Sequence, residues 1–281
     1  MKVIHTARET QTKVLAFKRA GKKVGFVPTM GFLHEGHLSL VDLMRTISDV
    51  VLVSIYVNPT QFGAGEDFNK YPRDLQRDLD LCMAHGVDLV FVPNNLEIYP
   101  DDSSTYVVEE EVGNGMCGNS RPTHFKGVTT VCAKLFNICQ PTFVALGQKD
   151  AQQVVVLKRM VRDLHFPIEI VVGPIIREQD GLAMSSRNAY LDAKQRKEAL
   201  LIYQSLQTAR KLVEKNGTNH VERVKAEALQ VLTGGSHLRV NYIEIVNRET
   251  MSPESEIVRG RSLLAVAVWI DQVRLIDNFC F

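Results

Sequence analysis

The sequence predicts a doubly wound parallel α/β domain followed by a smaller α+β domain, on three observations. Short β-branched runs alternate with amphipathic stretches through the first two thirds of the chain, the pattern of successive βαβ units. One run, Val50-Val51-Leu52-Val53-Ser54-Ile55, is apolar on both alternating faces, as a strand sandwiched between helix layers must be. After about Arg177 the character changes, with a polar Glu178-Gln179-Asp180-Gly181 turn leading into long helical stretches and then strands.

In order, residues 23–28, 50–57, 88–92, 142–146 and 168–172 read as strands. Residues 37–47, 74–85, 128–139 and 150–164 read as the helices between them, which makes residues 1–176 a Rossmann-like domain. Residues 177–281 carry helices across about 192–232, strands at 240–246 and 263–270, and turns at 234–236 and 252–255. In a doubly wound sheet ligands lie beyond the carboxyl ends of the strands, which directs attention to residues 28–37, 58–71 and 147–153.

Composition narrows the function classes. The chain has 281 residues, 45% hydrophobic and 23% charged, enough to bury a real core. Its 33 basic and 32 acidic side chains leave a formal charge of +1, so no overall field favours nucleic acid or an anionic membrane, and any anionic ligand must be held by local chemistry. Residues 1–20 lack the continuous apolar region of a secretory signal, and no stretch approaches the ~20 apolar residues of a membrane span. Cys82, Cys117, Cys132, Cys139 and Cys280 are scattered, odd in number and without a C-x-x-C pair, which argues against a disulfide framework or a cysteine zinc site and for a reducing cytoplasm. Cys82, Cys132 and Cys139 sit in apolar surroundings, as small core residues do.

The segment Pro28-Thr29-Met30-Gly31-Phe32-Leu33-His34-Glu35-Gly36-His37 leaves a strand and enters a helix near Gly36. Amides at a helix start carry partial positive charge, and His34 and His37 lie one turn apart, so two imidazoles can face one anion. The spacing alone also describes an ordinary surface pair. A zincin site is disfavoured, since its two ligands stand four apart with an intervening Glu, and Glu35 occupies the wrong offset. After the second strand, Asn58-Pro59-Thr60-Gln61-Phe62-Gly63 offers an uncharged amide beside an aromatic ring. Gly147-Gln148-Lys149-Asp150 again joins a strand to a helix, and Gln153 lies one turn beyond Asp150. Met184-Ser185-Ser186-Arg187 carries two hydroxyls and a guanidinium and, read alone, is an ordinary polar turn.

The segment at 28–37 resembles the HIGH motif of the nucleotidyltransferase superfamily. Residues 28–37, 58–63, 147–153, 180–188 and Arg274-Leu275-Ile276-Asp277-Asn278, in this order, resemble the motifs of the pantothenate synthetase family over essentially the whole chain. The resemblance implies a ligase that activates pantoate with ATP as its adenylate and then joins it to β-alanine. It assigns ATP contacts to Met30, Gly31, Phe32, Leu33, His34, Glu35, Gly36, His37, Gly147, Gln148, Lys149, Asp150, Ile176, Met184, Ser185, Ser186 and Arg187. Of these, His37, His34, Lys149, Ser185, Ser186 and Arg187 are the catalytic donors, and Ile176 and Met184 border the adenine. Gln61 and Gln153 match the two pantoate-binding glutamines, with Met30 and Phe62 as the wall for the geminal methyls. Magnesium arrives on the ATP phosphates, and where the family offers an Asp pair this chain has Arg77 and Asp78, so Asp78 is the one protein ligand expected. Gln148 and Ala151 depart from the acidic and aromatic residues many members carry. The resemblance also implies a homodimer.

Two other enzyme classes share parts of this pattern. A nucleotidyltransferase acting on a phosphate ester needs extra basic groups for its acceptor, and Gln61 with Gln153 argues against it. An aminoacyl-tRNA synthetase fragment needs a basic, aromatic-rich surface that the second domain lacks. A nucleotide-binding regulator without catalysis would tolerate loss of His37.

Overall fold

The apolar runs of the first two thirds pair as a six-stranded parallel sheet. Its strands are β1 (Lys2–Ile4), β2 (Val24–Thr29), β3 (Val50–Ile55), β4 (Leu89–Phe91), β5 (Phe143–Gly147) and β6 (Glu169–Gly173). They lie in the order β1-β4-β3-β2-β5-β6, so the winding reverses between β2 and β5. Ligands of doubly wound sheets bind at such a reversal, and the loops leaving β2 and β5 are those singled out in the sequence. All six residues of β3 are buried, as expected of a strand covered on both faces. The computed structural model describes residues 1–281, which form two units: Met1–Gln148 with Val156–Pro174, and Lys149–Val155 with Ile175–Phe281.

The helices that follow the strands are α1 (Ala7–Arg19), α2 (Glu35–Ile47), α3 (Leu75–Ala84), α4 (Asn95–Ile98), α5 (Met116–Ser120), α6 (His124–Cys139) and α7 (Ala151–Asp163). Leu40, Val41 and Met44 recur at helical spacing along α2 and bury against Val27, Val51 and Val53 of the sheet. Gly25 lets that helix approach closely: a Cβ there would lie 2.5 Å from the Ser48 hydroxyl and 3.0 Å from the Met44 side chain. Helices α1 and α6 pack against each other and against β2. Cys82, Cys132 and Cys139 are buried, and burial pushes the thiols of Cys82 and Cys132 up to about 12, which keeps them protonated core groups.

In the second unit the antiparallel meander β7 (Leu238–Asn247), β8 (Ser262–Ile270) and β9 (Val273–Cys280) supports α8 (Ala193–Asn216) and α9 (Val221–Leu232). Helix α8 opens with a reciprocal cap between Asp192 and Gln195 and stops at Gly217, whose φ of 68° an L residue rarely adopts. Ile202, Leu206 and Ala209 of α8 meet Val224 and Ala228 of α9 and Leu264, Val266 and Val268 of β8 in one core. The fold class is the one expected. Five elements were not anticipated: β1, only three residues long, α1, whose two buried residues are Thr10 and Val14, the short helices α4 and α5, and β9, where Asp277 and Asn278 interrupt the apolar pattern although both are buried. No helix is long and apolar enough to cross a membrane.

Candidate active site

The first unit carries the two histidines. His34 is the N-cap of α2, its Nδ1 accepting the Gly36 amide at 3.1 Å, while His37 Nδ1 accepts the His34 amide at 3.4 Å. A neutral imidazole that accepts at Nδ1 carries its proton on Nε2. The reciprocal cap therefore makes each ring a donor at its distal nitrogen, and the rings lie face to face with centroids 4.0 Å apart and planes 35° from parallel. Sequence reasoning found the pair. What it did not show is that each histidine's proximal nitrogen is spent on the helix start itself.

The loop ahead of the histidines turns through two positive φ values, 81° at Gly31 and 50° at Phe32. A Cβ at Gly31 would come within 2.9 Å of an Asp78 oxygen and 3.0 Å of Ile55, so close backbone approach is required there. Asp78, buried at the start of α3, accepts the Phe32 amide at Oδ2 and the Leu33 amide at Oδ1, both at 2.7 Å. Arg77 donates to the Leu33 carbonyl at 2.9 Å, and its guanidinium lies 5.3 Å from the Phe32 ring centroid. Burial pushes the Asp78 carboxyl above its usual range even though both amides and Arg77 favour the anion. Asp78, expected as a magnesium ligand, holds the histidine loop with one oxygen on each amide. No three His, Cys, Asp or Glu side chains are grouped to hold a metal ion.

Beyond β3, the buried Asn58 organises a single 3₁₀ turn at Pro59–Gln61. Its Oδ1 accepts from the Thr60 amide and hydroxyl, and its Nδ2 donates to the Gly127 carbonyl and to Gln61 Oε1, both at 3.2 Å. The Thr60 amide can only donate and the Gly127 carbonyl can only accept, so the orientation of Asn58 is settled, and that of Gln61 follows. The Gln61 oxygen is turned toward Asn58 and its NH2 group away, 2.9 Å from the Met30 sulfur. Phe62 packs edge-on against Phe68 and Tyr71, with centroids 5.4 and 6.0 Å away. Met30 and Gln61 are thus in contact, while the Phe62 ring packs on Phe68 and Tyr71. Asn58, part of a motif noted in the sequence but given no role there, is the residue that aims the amide.

The second unit carries the remaining groups. Lys149 and Asp150 lie in a 3₁₀ turn before α7, with Lys149 Nζ 3.6 Å from Asp150 and the Lys149 carbonyl accepting from Asn278 Nδ2 at 3.0 Å. Residues 176–184 form a hairpin in which the Met184 amide donates to the Ile176 carbonyl at 2.9 Å, so the two residues expected to border the adenine are neighbours. Ser185 caps the short 3₁₀ helix Ser186–Tyr190 by accepting the Arg187 amide, and Ser186 is buried. Arg177 anchors the hairpin through a bidentate pair with Asp277, 2.6 and 3.0 Å, and stacks 4.4 Å from the Tyr203 centroid. Arg196 bridges Glu178 and Asp180 at 2.7 and 2.6 Å, and Asn188 Nδ2 ties Glu178 to the Ala183 carbonyl. These anchors bind residues up to 100 positions apart, a separation with no periodic signal in the sequence.

Comparison with known proteins agrees along the whole chain. The sequence model described as pantoate-beta-alanine ligase matches residues 2–280. The pantothenate synthetase of Thermosipho africanus is 52% identical over 278 residues, 99% of either chain. The crystal structure of pantothenate synthetase from Thermus thermophilus superposes with a TM-score of 0.93 at 44% identity, covering 99% of both chains. A pantoate-beta-alanine ligase from Francisella tularensis, complexed with beta-gamma ATP and beta-alanine, superposes at 0.83 with 33% identity, covering 100% of this chain and 97% of that one. With the fold, the histidine pair and the amide-lined turn all in place, these matches show that the chain belongs to the pantoate-beta-alanine ligase family.

Proposed function

We propose that the chain condenses (R)-pantoate with β-alanine at the expense of MgATP, through a pantoyl adenylate. In the first step a pantoate carboxylate oxygen bonds to the α-phosphorus as the bond to the bridging oxygen breaks and pyrophosphate leaves. In the second, the β-alanine nitrogen bonds to the acyl carbon, the acyl–phosphate oxygen bond breaks, and AMP leaves with pantothenate formed. Family membership supports the ligase, and the Francisella relative, complexed with beta-gamma ATP and beta-alanine, supports the substrates.

The observation that carries the reading is the Gln61–Met30 pair, an uncharged amide against a thioether on the loop that leads into His34 and His37. An amide donor beside an apolar side chain suits a small acid with hydroxyls and methyl groups, and it binds without the full charge that would hold an acidic product tightly. Gln153 is the second amide assigned to pantoate, with Met30 and Phe62 against its methyls.

Charge develops on the phosphate oxygens during adenylation, and fixed donors stabilise it without reorganising. The Nε2 donors of His34 and His37 and the Glu35 amide at the start of α2 serve this role in the first unit, where Gly36, without a side chain, leaves room for the phosphates to approach. Lys149, Ser185, Ser186 and Arg187 serve it in the second. Gly31, Phe32, Leu33, Gly147 and Gln148 offer backbone to the nucleotide, Asp150 its carboxylate to the ribose, and Ile176 and Met184 a flat aliphatic edge to the adenine. Magnesium enters as part of the ATP substrate, held by phosphate oxygens and water, the ligands this small cation keeps most readily. We further place the enzyme in the cytoplasm, where buried thiols such as Cys82, Cys132 and Cys139 stay reduced, and assign it the homodimeric state the family resemblance implies.

Mass spectrometry of products from enzyme, MgATP and pantoate tests this. Pantoyl adenylate is expected without β-alanine, and pantothenate plus AMP with it. Folded enzyme that forms neither product would overturn the reading.

A further inference from the structure

Outside the groups assigned to the reaction, one side-chain cluster touches a substrate-facing element directly. Arg121 ends α5 and sends its guanidinium to Glu66 as a two-pronged pair, Nε to Oε1 at 2.7 Å and Nη2 to Oε2 at 2.6 Å. The same Nη2 donates to the Gln61 carbonyl at 3.1 Å, and His124 Nδ1 lies 2.9 Å from that carbonyl. Both partners of the ion pair are largely shielded, with side chains 13% and 20% exposed, so the pair is screened far less than one at the surface. Glu66 belongs to the same loop as Gln61, its amide bonded to the Gly63 carbonyl. One arginine therefore crosslinks both ends of residues 61–66 to the end of α5.

The third side of the turn is closed by Gly127. A Cβ there would lie 2.4 Å from the Thr60 carbonyl oxygen and 2.6 Å from the Gln61 nitrogen, so the 3₁₀ turn rests on the bare backbone of α6. The Gln61 backbone is thus held by Arg121, His124 and Gly127, while Asn58 turns its amide. A planar guanidinium can serve a carboxylate with two donors and a carbonyl at once. An ammonium on a flexible stem cannot reproduce that fork.

We propose that Arg121, locked by Glu66, is a positioning residue for the acid substrate: it fixes the Gln61 carbonyl and so aims the Gln61 carboxamide. The proposal rests on the reading of Gln61 as a pantoate-binding amide, and its consequence is selective. Loosening the clamp weakens pantoate binding and leaves ATP binding unchanged, because Arg121 and Glu66 hold the Gln61 turn, whereas the histidine loop hangs from Asp78 and Arg77.

The test is steady-state kinetics of AMP formation with the full chain carrying Arg121→Lys, Glu66→Gln or both, beside Gln61→Ala, with thermal melts to establish folding. Each single clamp variant is expected to raise the pantoate KM about tenfold, the equivalent of one net hydrogen bond, with ATP KM within about twofold. The double variant is expected to match the singles, since the pair acts as a unit. If Gln61→Ala raises the pantoate KM and the clamp variants do not, the positioning role is wrong and the site reading stands. If the clamp variants raise both KM values together, the clamp is a general structural element and the proposal fails. If Gln61→Ala itself leaves pantoate KM unchanged, the site reading fails and the positioning role with it. Glu66→Gln, which preserves shape, keeps the test decisive should Arg121→Lys not fold.

Discussion

The histidine loop of the first unit and the 176–188 hairpin of the second are both anchored, but by different chemistry. The histidine loop hangs by two backbone amides from one buried carboxylate, Asp78, and passes through left-handed backbone at Gly31 and Phe32. The hairpin is tied down by side chains: Arg177 to Asp277, Arg196 to Glu178 and Asp180, and Asn188 to Glu178. An amide buried with one acceptor has no alternative if that acceptor goes, and neither has the buried Asp277, whereas the partly exposed charges of Arg196, Glu178 and Asp180 regain water. The first arrangement gives a preorganised site, and the second permits stepwise loosening.

That contrast can be broken or sharpened by five measurements, the largest effect first. Asp78→Ala leaves the Phe32 and Leu33 amides without their acceptor, and urea unfolding is expected to register a loss of about 4 kcal/mol. A loss under about 1 kcal/mol would mean the loop finds other partners and is not preorganised by Asp78. Arg177→Ala strands the Asp277 carboxyl, 2% exposed, and is expected to lower stability by about 3 kcal/mol, the low end for a broken buried pair because the guanidinium itself is 22% exposed.

His37→Ala removes the donor proposed for the developing charge and is expected to lower turnover by ~100-fold, about 2.7 kcal/mol, while ATP binding by calorimetry persists. Turnover within about threefold of wild type would remove His37 from the chemistry. Arg196→Met, on the half-exposed side of the hairpin, is expected to change unfolding free energy by less than about 1 kcal/mol. A larger value there would erase the distinction drawn between the hairpin's two anchors.

The smallest effect concerns pH. Burial pushes the Glu66 carboxyl up, but hydrogen bonds and charge from Arg121, with the Gly63 amide and the charge of His124, outweigh it and hold the group below the usual carboxylate range. Its folded value therefore lies below its unfolded one. The stability it contributes is complete at neutral pH and is lost as pH falls through the folded value, so the difference between wild type and Glu66→Gln is expected to narrow below about pH 4. Urea midpoints measured from neutral to acid pH would show the narrowing; a constant difference would mean the pair contributes through shape alone.

Much of the site was readable because its residues are close in sequence. His34 and His37 share one turn of α2, Asn58, Gln61 and Phe62 one short loop, and Ser185 to Arg187 one turn, so local spacing exposes them. Arg121 and His124 carry no such signal, because the carbonyl they hold lies 60 and 63 positions away. The partners of Asp78 are unreadable for a related reason. An acidic residue beside a nucleotide motif suggests a metal, and only the fold reveals that amides 45 and 46 positions earlier each donate to one of its oxygens.

The sequence by itself determined the alternation of strands and helices, the turns at the carboxyl ends of the strands, and which polar residues those turns carry, since these depend on hydrophobic period and on neighbouring residues. Tertiary structure decided the reversal of winding between β2 and β5, the orientation of the Gln61 amide, the protonated nitrogen of each histidine, and the partners of Asp78, Arg121 and Arg177. The physical reason is that hydrogen-bond direction and burial belong to pairs of groups, and a chain determines its long-range pairs only by folding.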